Sequence, residues 1–242
     1  MNTKKNKGTA LITGGAQRIG HGIALTLAQL GYTIALHYNT SAQSALTTTK
    51  EIKSNGGRCE LFGCDLSDEI DTQKLIQRVE KKFPNFNVLI NNASVFEKSD
   101  FKNYSLLSLN RHFVINFVAS YILTAEFARL CKRGNVINIL DTHIVNNKIG
   151  HFDYLLSKKA LAELTKMSAV ALAPNIRVNG IAPGLILPPK DKSSDYLKRL
   201  ARNIPLKCQG DVKNIVTTVK FLLENNFVTG DIIFCDGGEH LL

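Results

Sequence analysis

The chain has 242 residues, 44% of them hydrophobic, and a net charge of +10, which is enough for one well-buried core and short for two. It holds no run of about eighteen apolar residues, so no membrane span is expected, and the basic start MNTKKNK leads into a short strand ending in glycines rather than a signal-peptide core, so a cytoplasmic location is expected. The basic residues are dispersed, with modest clusters such as Lys4, Lys5, Lys7 and Lys198, Arg199, Arg202, which suits an anionic cofactor and substrate and does not imply nucleic-acid binding.

The first apolar run, Ala10 to Ile12, ends in TGGAQRIGHG and passes into the helical spacing of Ile23, Leu25, Leu27, Ala28 and Leu30, which predicts a strand, a glycine-rich turn and a helix. Gly14 and Gly15 permit a tight turn, Gly20 lets the helix pack closely, and free N–H groups with the helix dipole would face a bound phosphate. With that first strand at Thr9–Thr13, further strands are predicted at Thr33–His37, Arg58–Cys64, Asn87–Asn91, Asn135–Leu140, Ile176–Ile181 and Asp231–Cys235, with helical patterns between them. The alternation predicts the α/β class. It implies a single Rossmann-type, doubly wound domain over residues 1–242, with a seven-stranded parallel sheet flanked by helices on both faces. Five cysteines, Cys59, Cys64, Cys131, Cys208 and Cys235, are odd in number and scattered, which suits reduced thiols and suggests no metal site. Residues 182–210 hold four of the six prolines and predict a long substrate loop near 185–210. Ligands of such sheets lie beyond the carboxyl ends of the strands, where the glycine loop, Asn91, Asp141 and Pro183 fall.

In DYLLSKKALAELTK, Tyr154 and Lys158 are spaced i, i+4 and share one helix face. The Lys158 ammonium would then lie beside the Tyr154 phenol, favour its ionised form and make it a general acid at neutral pH. Such a pair also arises by chance on solvated helices, so its weight comes from context. Asp141, earlier in the chain, adds a carboxyl group. A carboxylic acid beside Tyr154 could relay a proton.

Over essentially its whole length the chain resembles the classical short-chain dehydrogenase/reductases. The matching segments are TGGAQRIG, the acidic residue of CDLS (Asp65), NNAS at Asn91 to Ser94, Asn116, Tyr154 with Lys158, IRVNGIAPG ending at Gly184, and VTGDIIFCDGG. The resemblance implies that Asp65 with Leu66 meets the adenine and that Asn91, Asn92 and Ala93 line the cofactor cleft with Pro183 and Gly184. It further implies that Asn116 orders a proton-relay water and that Lys158 also holds the nicotinamide ribose. Three departures, Arg18 for a glycine, NNAS followed by Phe96, and Asp141 for the catalytic serine, are similar to pteridine reductases and to bacterial dihydromonapterin or dihydrofolate reductases. In that subgroup Arg18 and Ser94 would contact pterin and cofactor phosphates, Phe96 would stack on the pterin, and Asp141 would partner Tyr154. Flat heteroaromatic rings suit a phenylalanine platform and a planar guanidinium fork.

Rossmann sheets specific for NAD place a carboxylate at the end of the second strand; this chain has HYNTS, His37 to Ser41, with none. That segment resembles the one in which a histidine, an arginine and a serine surround a 2′-phosphate, with Thr40 where the arginine would stand. NADPH is therefore expected, held by Gly14, Arg18, Ile19, Gly20, His37, Tyr38 and Ser41. The segments His112 to Leu130 and Ala160 to Leu172 are apolar almost all round, which suggests a subunit interface, and the resemblance implies a homotetramer. The expected activity is NADPH-dependent reduction of a pterin or folate. Reduction of a carbonyl or 3-oxoacyl-carrier-protein substrate is the first alternative, and a cofactor-sensing binding protein without activity is the second.

Overall fold

The computed structural model describes residues 6–189 and 194–242; Lys4, Lys5 and residues 190–193 of the predicted loop lie outside them. Seven parallel strands form one sheet in the order β3-β2-β1-β4-β5-β6-β7. They are β1 Thr9–Ile12, β2 Thr33–Tyr38, β3 Arg58–Gly63, β4 Phe86–Asn91, β5 Gly134–Ile139, β6 Ile176–Pro183 and β7 Ile232–Cys235. Each falls within a few residues of its predicted position. Alternate residues of the central strands feed opposite faces, as the period of a strand requires. Ala10, Ile12, Val88 and Ile90 pack under helices α1 (Arg18–Gln29), α2 (Ala42–Ser54) and, at the far end of the chain, Val212–Glu224. Leu11, Leu89 and Val136 pack under α3 (Glu69–Lys82) and the long apolar segment that follows β4.

That long segment is α4 (Leu106–Phe113), a π-helical turn at Val114–Val118, and α5 (Ala119–Leu130). Among the described residues it is the one helical stretch long and apolar enough to cross a membrane by length and composition, a test that the core helix of a sheet protein also passes. Its inner face is a core face: Ala119, Leu123 and Phe127 are buried, and Phe127 meets Phe86 edge-to-face at 4.9 Å. Its outer face leaves Tyr121 exposed, and α6 (Phe152–Leu172) likewise exposes Met167 and Val170. The predicted substrate loop contains a helix that its prolines obscured, α7 (Ser194–Ala201), and α8 (Val212–Glu224) follows with a capping box between Asp211 and Asn214. The strand order reverses between β1 and β4, the switch point at which such sheets open a ligand crevice.

Candidate active site

At the switch point the glycine turn makes a cradle. Helix α1 begins after Gln17, whose side chain gives the helix no cap, because its amide donates to Ser44 Oγ at 2.7 Å. The first N–H groups of α1, those of Arg18, Ile19 and Gly20, thus start the helix without a side-chain acceptor, which suits a phosphate. Gly20 has no room for a side chain, since a Cβ there would strike the Gly14 carbonyl and stand 2.7 Å from Asn92 Nδ2. Asn92 closes the turn by donating to Thr13 O at 2.8 Å and Gly14 O at 3.2 Å, while the N–H of Ala93 donates to Thr13 Oγ1 at 3.0 Å. On the other side of the crevice, Pro183 ends β6, and a Cβ on Gly184 would stand 2.6 Å from Asp236 Cβ. Such a cradle fits a dinucleotide.

Arg18 has φ +56°, a left-handed conformation that favours glycine, which explains why a glycine is the usual residue there. Its guanidinium reaches across the crevice and donates to Leu187 O at 3.4 Å and Pro188 O at 2.9 Å. The hydroxyl of Ser41 caps no backbone group at the start of α2, and Tyr38 is half-buried beside Gly63. Asp65 takes the N–H and hydroxyl of Ser67 at 2.9 and 2.8 Å, which hold its carboxyl below the usual range, and Leu66 is buried in the core.

Two residues assigned to the cofactor from sequence are occupied by the protein instead. His37 is buried, accepts the Gly14 N–H on Nδ1 at 3.0 Å and contacts the Cys64 carbonyl through Nε2 at 3.0 Å, so both ring nitrogens are used and Nε2 carries the proton. Burial pushes its pKa down to about 4 despite the Cys64 hydrogen bond. A neutral, fully bonded imidazole has no charge or free donor for a 2′-phosphate. Asn91, expected to line the cleft, is buried and donates to Thr124 Oγ1 and Asn138 Oδ1 at 3.2 and 2.8 Å. The odd-even alternation of β4 turns it inward. The His37 environment predicts an acid-sensitive fold. The unfolded chain takes up a proton near pH 6.5 that the folded chain refuses until about 4, so stability present above that window falls as pH drops through it. Urea unfolding of His37→Gln should lack this component, which is on the order of 3 kcal/mol; an unchanged acid-side slope would refute it.

The candidate catalytic groups gather at the ends of β5 and α6. Tyr154, from the first turn of α6, donates its hydroxyl to Asp141 Oδ2 at 2.9 Å. Lys158 sits one turn on, fully buried, with Nζ donating to the Ile139 carbonyl at 2.8 Å and lying 5.9 Å from the Tyr154 ring centroid. Burial lowers the Lys158 pKa to about 8, partly offset by the Asp141 charge. The expected ionised phenol is not what this geometry favours. Burial first, and the neighbouring Asp141 charge second, raise the Tyr154 pKa well above its ordinary value, so the phenol keeps its proton. Asp141 in turn is held below the usual carboxylate range: burial opposes its charge, but the hydrogen bonds and charge of His143 and the Tyr154 hydroxyl outweigh it. The carboxylate therefore orients a protonated phenol, and the protonated Asp141 expected from sequence is disfavoured.

Asn116 lies in the π-helical turn, a device frequent at functional sites. Its side chain takes the Val95 N–H at 2.8 Å and the Ser94 hydroxyl at 3.1 Å and donates to Val95 O and Ser157 Oγ. All four contacts go to protein, so the side chain fixes the segment carrying Phe96. The same segment is held by Glu97 N donating to His112 Nε2 at 3.3 Å. Phe96 is half exposed, meets Tyr154 edge-to-face at 4.7 Å, and has His151 stacked on it at 4.1 Å. Phe96, Arg18, Asp141, Tyr154 and Gly184 all line one cavity of about 630 Å³, closed by Leu185, Leu187, Tyr196, Leu197 and Leu200 from the loop and α7. Sequence reasoning missed His143, Lys148, His151 and Glu239, which line the same cavity; only the first, two residues after Asp141, carried a positional signal.

A family described as enoyl-(acyl carrier protein) reductase matches residues 14–240. The 3-oxoacyl-[acyl-carrier-protein] reductase FabG of Staphylococcus epidermidis is 30% identical, covering 96% of this chain and 99% of that protein. The uncharacterized oxidoreductase YohF of Escherichia coli is 31% identical over 95% of this chain and 94% of its own. Among solved structures, FolM alternative dihydrofolate reductase 1 from Brucella suis in complex with NADP superposes with a TM-score of 0.93 at 33% identity, covering 98% of this chain and 96% of that one. With the switch-point cradle and the Tyr154, Lys158 pair in place, the chain belongs to the short-chain dehydrogenase/reductase family of oxidoreductases.

Proposed function

We propose that this protein is an NADPH-dependent reductase of a pterin or folate. The observation that carries the reading is the Asp141 carboxylate bonded to the Tyr154 hydroxyl at 2.9 Å, directly beside the exposed ring of Phe96. NADPH, when bound along the glycine cradle, supplies the hydride. Helix α1 receives its phosphates through backbone N–H groups, Ser41 is the free hydroxyl at the end of β2, and Thr40 adds no charge there. Lys158, anchored on the Ile139 carbonyl, holds a positive charge under the reacting region. Tyr154 carries the proton and Asp141 aims it toward a ring nitrogen, a carboxylate standing where a serine would bond a substrate carbonyl. Phe96 offers one ring face; its other face is covered by His151, so a flat heterocycle stacks on the open side or displaces that imidazole. The structural similarity to a FolM protein supports this reading.

A second reading, reduction of a 3-oxoacyl-carrier-protein substrate, is supported by the names of the FabG relatives and of the matching family. Asp141 and Phe96 weigh against it. NADPH oxidation measured side by side with dihydromonapterin, dihydrobiopterin, dihydrofolate and an acetoacetyl thioester separates the two, and turnover of the thioester alone would reverse the assignment. An inhibitor carrying a diaminopteridine ring should compete with the pterin and not with NADPH. Phe96→Ala should weaken it by about 0.5–1.5 kcal/mol beyond the lost contact area. Absence of both inhibition and thermal stabilisation of the NADPH-bound protein would count against the pterin. The exposed apolar faces of α5 and α6 (Tyr121, Met167, Val170) fit the interfaces of a homotetramer.

A further inference from the structure

Behind Asp141 stands a second layer of charge. Asp141 caps the short 3₁₀ turn Thr142–Val145, and its Oδ1 takes two hydrogen bonds from one residue: the His143 N–H at 2.8 Å and the His143 ring Nδ1 at 2.7 Å. Among the described residues that leaves Oδ2 to Tyr154. The far nitrogen of the same ring, Nε2, lies 3.2 Å from Glu239 Oε1. Glu239 is buried and opens a second 3₁₀ turn, Glu239–Leu241. The two turns are tied together independently, because Thr142 Oγ1 donates to Asp236 Oδ2, and Asp236 also takes the N–H groups of Gly238 and His240. An imidazole is thus clamped between two carboxylates that come from turns far apart in the chain.

The protonation that this clamp demands follows from its contacts. Asp141 is an acceptor, so Nδ1 bears hydrogen. If Nε2 also bears hydrogen it donates to Glu239, and the ring is an imidazolium. If Nε2 is bare it accepts from Lys148 Nζ, which touches both Nε2 and Glu239 Oε1. Glu239 favours the first state and Lys148 the second. Burial opposes the charge, but the hydrogen bonds the ring donates to Asp141 and Glu239 and the Asp141 charge prevail and push the His143 pKa up to about 9. The other charges near this layer are Lys158, which faces Asp141 from α6, and the Asp236–His240 pair, which is closed on itself at 2.8 Å.

We propose that His143, clamped between Asp141 and Glu239, is a positioning residue for proton delivery: it holds Asp141 as a carboxylate in the one rotamer that aims the Tyr154 hydroxyl into the cavity. This rests on the reading that Tyr154 and Asp141 deliver the substrate proton. No covalent step is added; His143 keeps its own protons while Tyr154 gives up its hydroxyl proton to the substrate. A polar residue that merely filled space between two turns would have no reason to bond both carboxylates, nor to present both its main-chain and its ring N–H to a single oxygen.

The test has two arms. In the ligand-free protein, imidazole NMR should show His143 titrating near pH 9, and Glu239→Gln should move that titration toward 6.5, since one of the two acceptors loses its charge. Titration at or below 6.5 in the native chain overturns the proposal. In turnover of dihydrobiopterin with NADPH, His143→Gln should lower kcat about tenfold to a hundredfold, below the full loss of a general acid, with NADPH binding unchanged. The alkaline limb set by His143 should move to lower pH in Glu239→Gln, while the limb belonging to Lys158 stays. Tyr154→Phe is measured in parallel. If that variant retains turnover, the proton-delivery reading itself fails. If it is inactive while His143→Gln and Glu239→Gln keep wild-type kcat and limbs, the His143 proposal alone falls. Should His143→Gln not fold, the Glu239→Gln titration and pH profile decide.

Discussion

Tyr154→Phe is expected to reduce turnover by roughly 10²–10⁴, the usual cost of losing a general acid, while leaving NADPH affinity nearly unchanged. The hydroxyl is the group that faces the cavity with a transferable proton, and burial beside a carboxylate keeps that proton on the oxygen until a substrate nitrogen receives it. Phenylalanine preserves the ring packing against Phe96 and His112, so the fold should survive. Fluorescence titration with NADPH and steady-state kinetics on the same preparation separate binding from chemistry. Near-normal kcat would remove Tyr154 from the mechanism.

Asp141→Ser should separate the two substrate classes. A serine hydroxyl can bond a carbonyl oxygen but supplies no negative charge, so the Tyr154 phenol loses the acceptor that aims it and His143 loses one of its two carboxylates. Reduction of a dihydropterin should fall by on the order of 10² or more, and any reduction of an acetoacetyl thioester should fall less or rise. The ratio of kcat/KM for the two substrates is the deciding quantity. Equal losses on both would make Asp141 a structural residue.

Much of this was legible in the sequence because it is local. The apolar run at Ala10 to Ile12 reads as a strand from the glycine turn and helical spacing that follow, and the structure buries it on both faces; the glycines are required by the close approach of Gly14, Gly20 and Asn92. Tyr154 and Lys158 share a helix face by spacing alone, and Asp141 falls at the carboxyl end of β5 because the strand before it is easy to place. Those facts placed the candidate residues; their expected roles came from the resemblance of the whole motif series to the family.

Their charges could not. Whether the Tyr154 phenol is ionised depends on what lies nearest it: Lys158 turned to the Ile139 carbonyl and left the hydroxyl to Asp141. His37 stands where a phosphate ligand was expected, but closing the sheet buried it and spent both ring nitrogens on Gly14 and Cys64. The helix α7 was hidden by the prolines around it, and its leucines meet the cavity only after the chain returns over the sheet. His143 and Glu239 come from distant parts of the chain and meet because β5 and β7 flank β6, which brings the turns after both strands to one end of the sheet. Short-range pattern thus determined the elements and where the candidate groups fall along the chain. The electrostatic state of those groups is a property of neighbours brought together through space, and only the tertiary structure decided it.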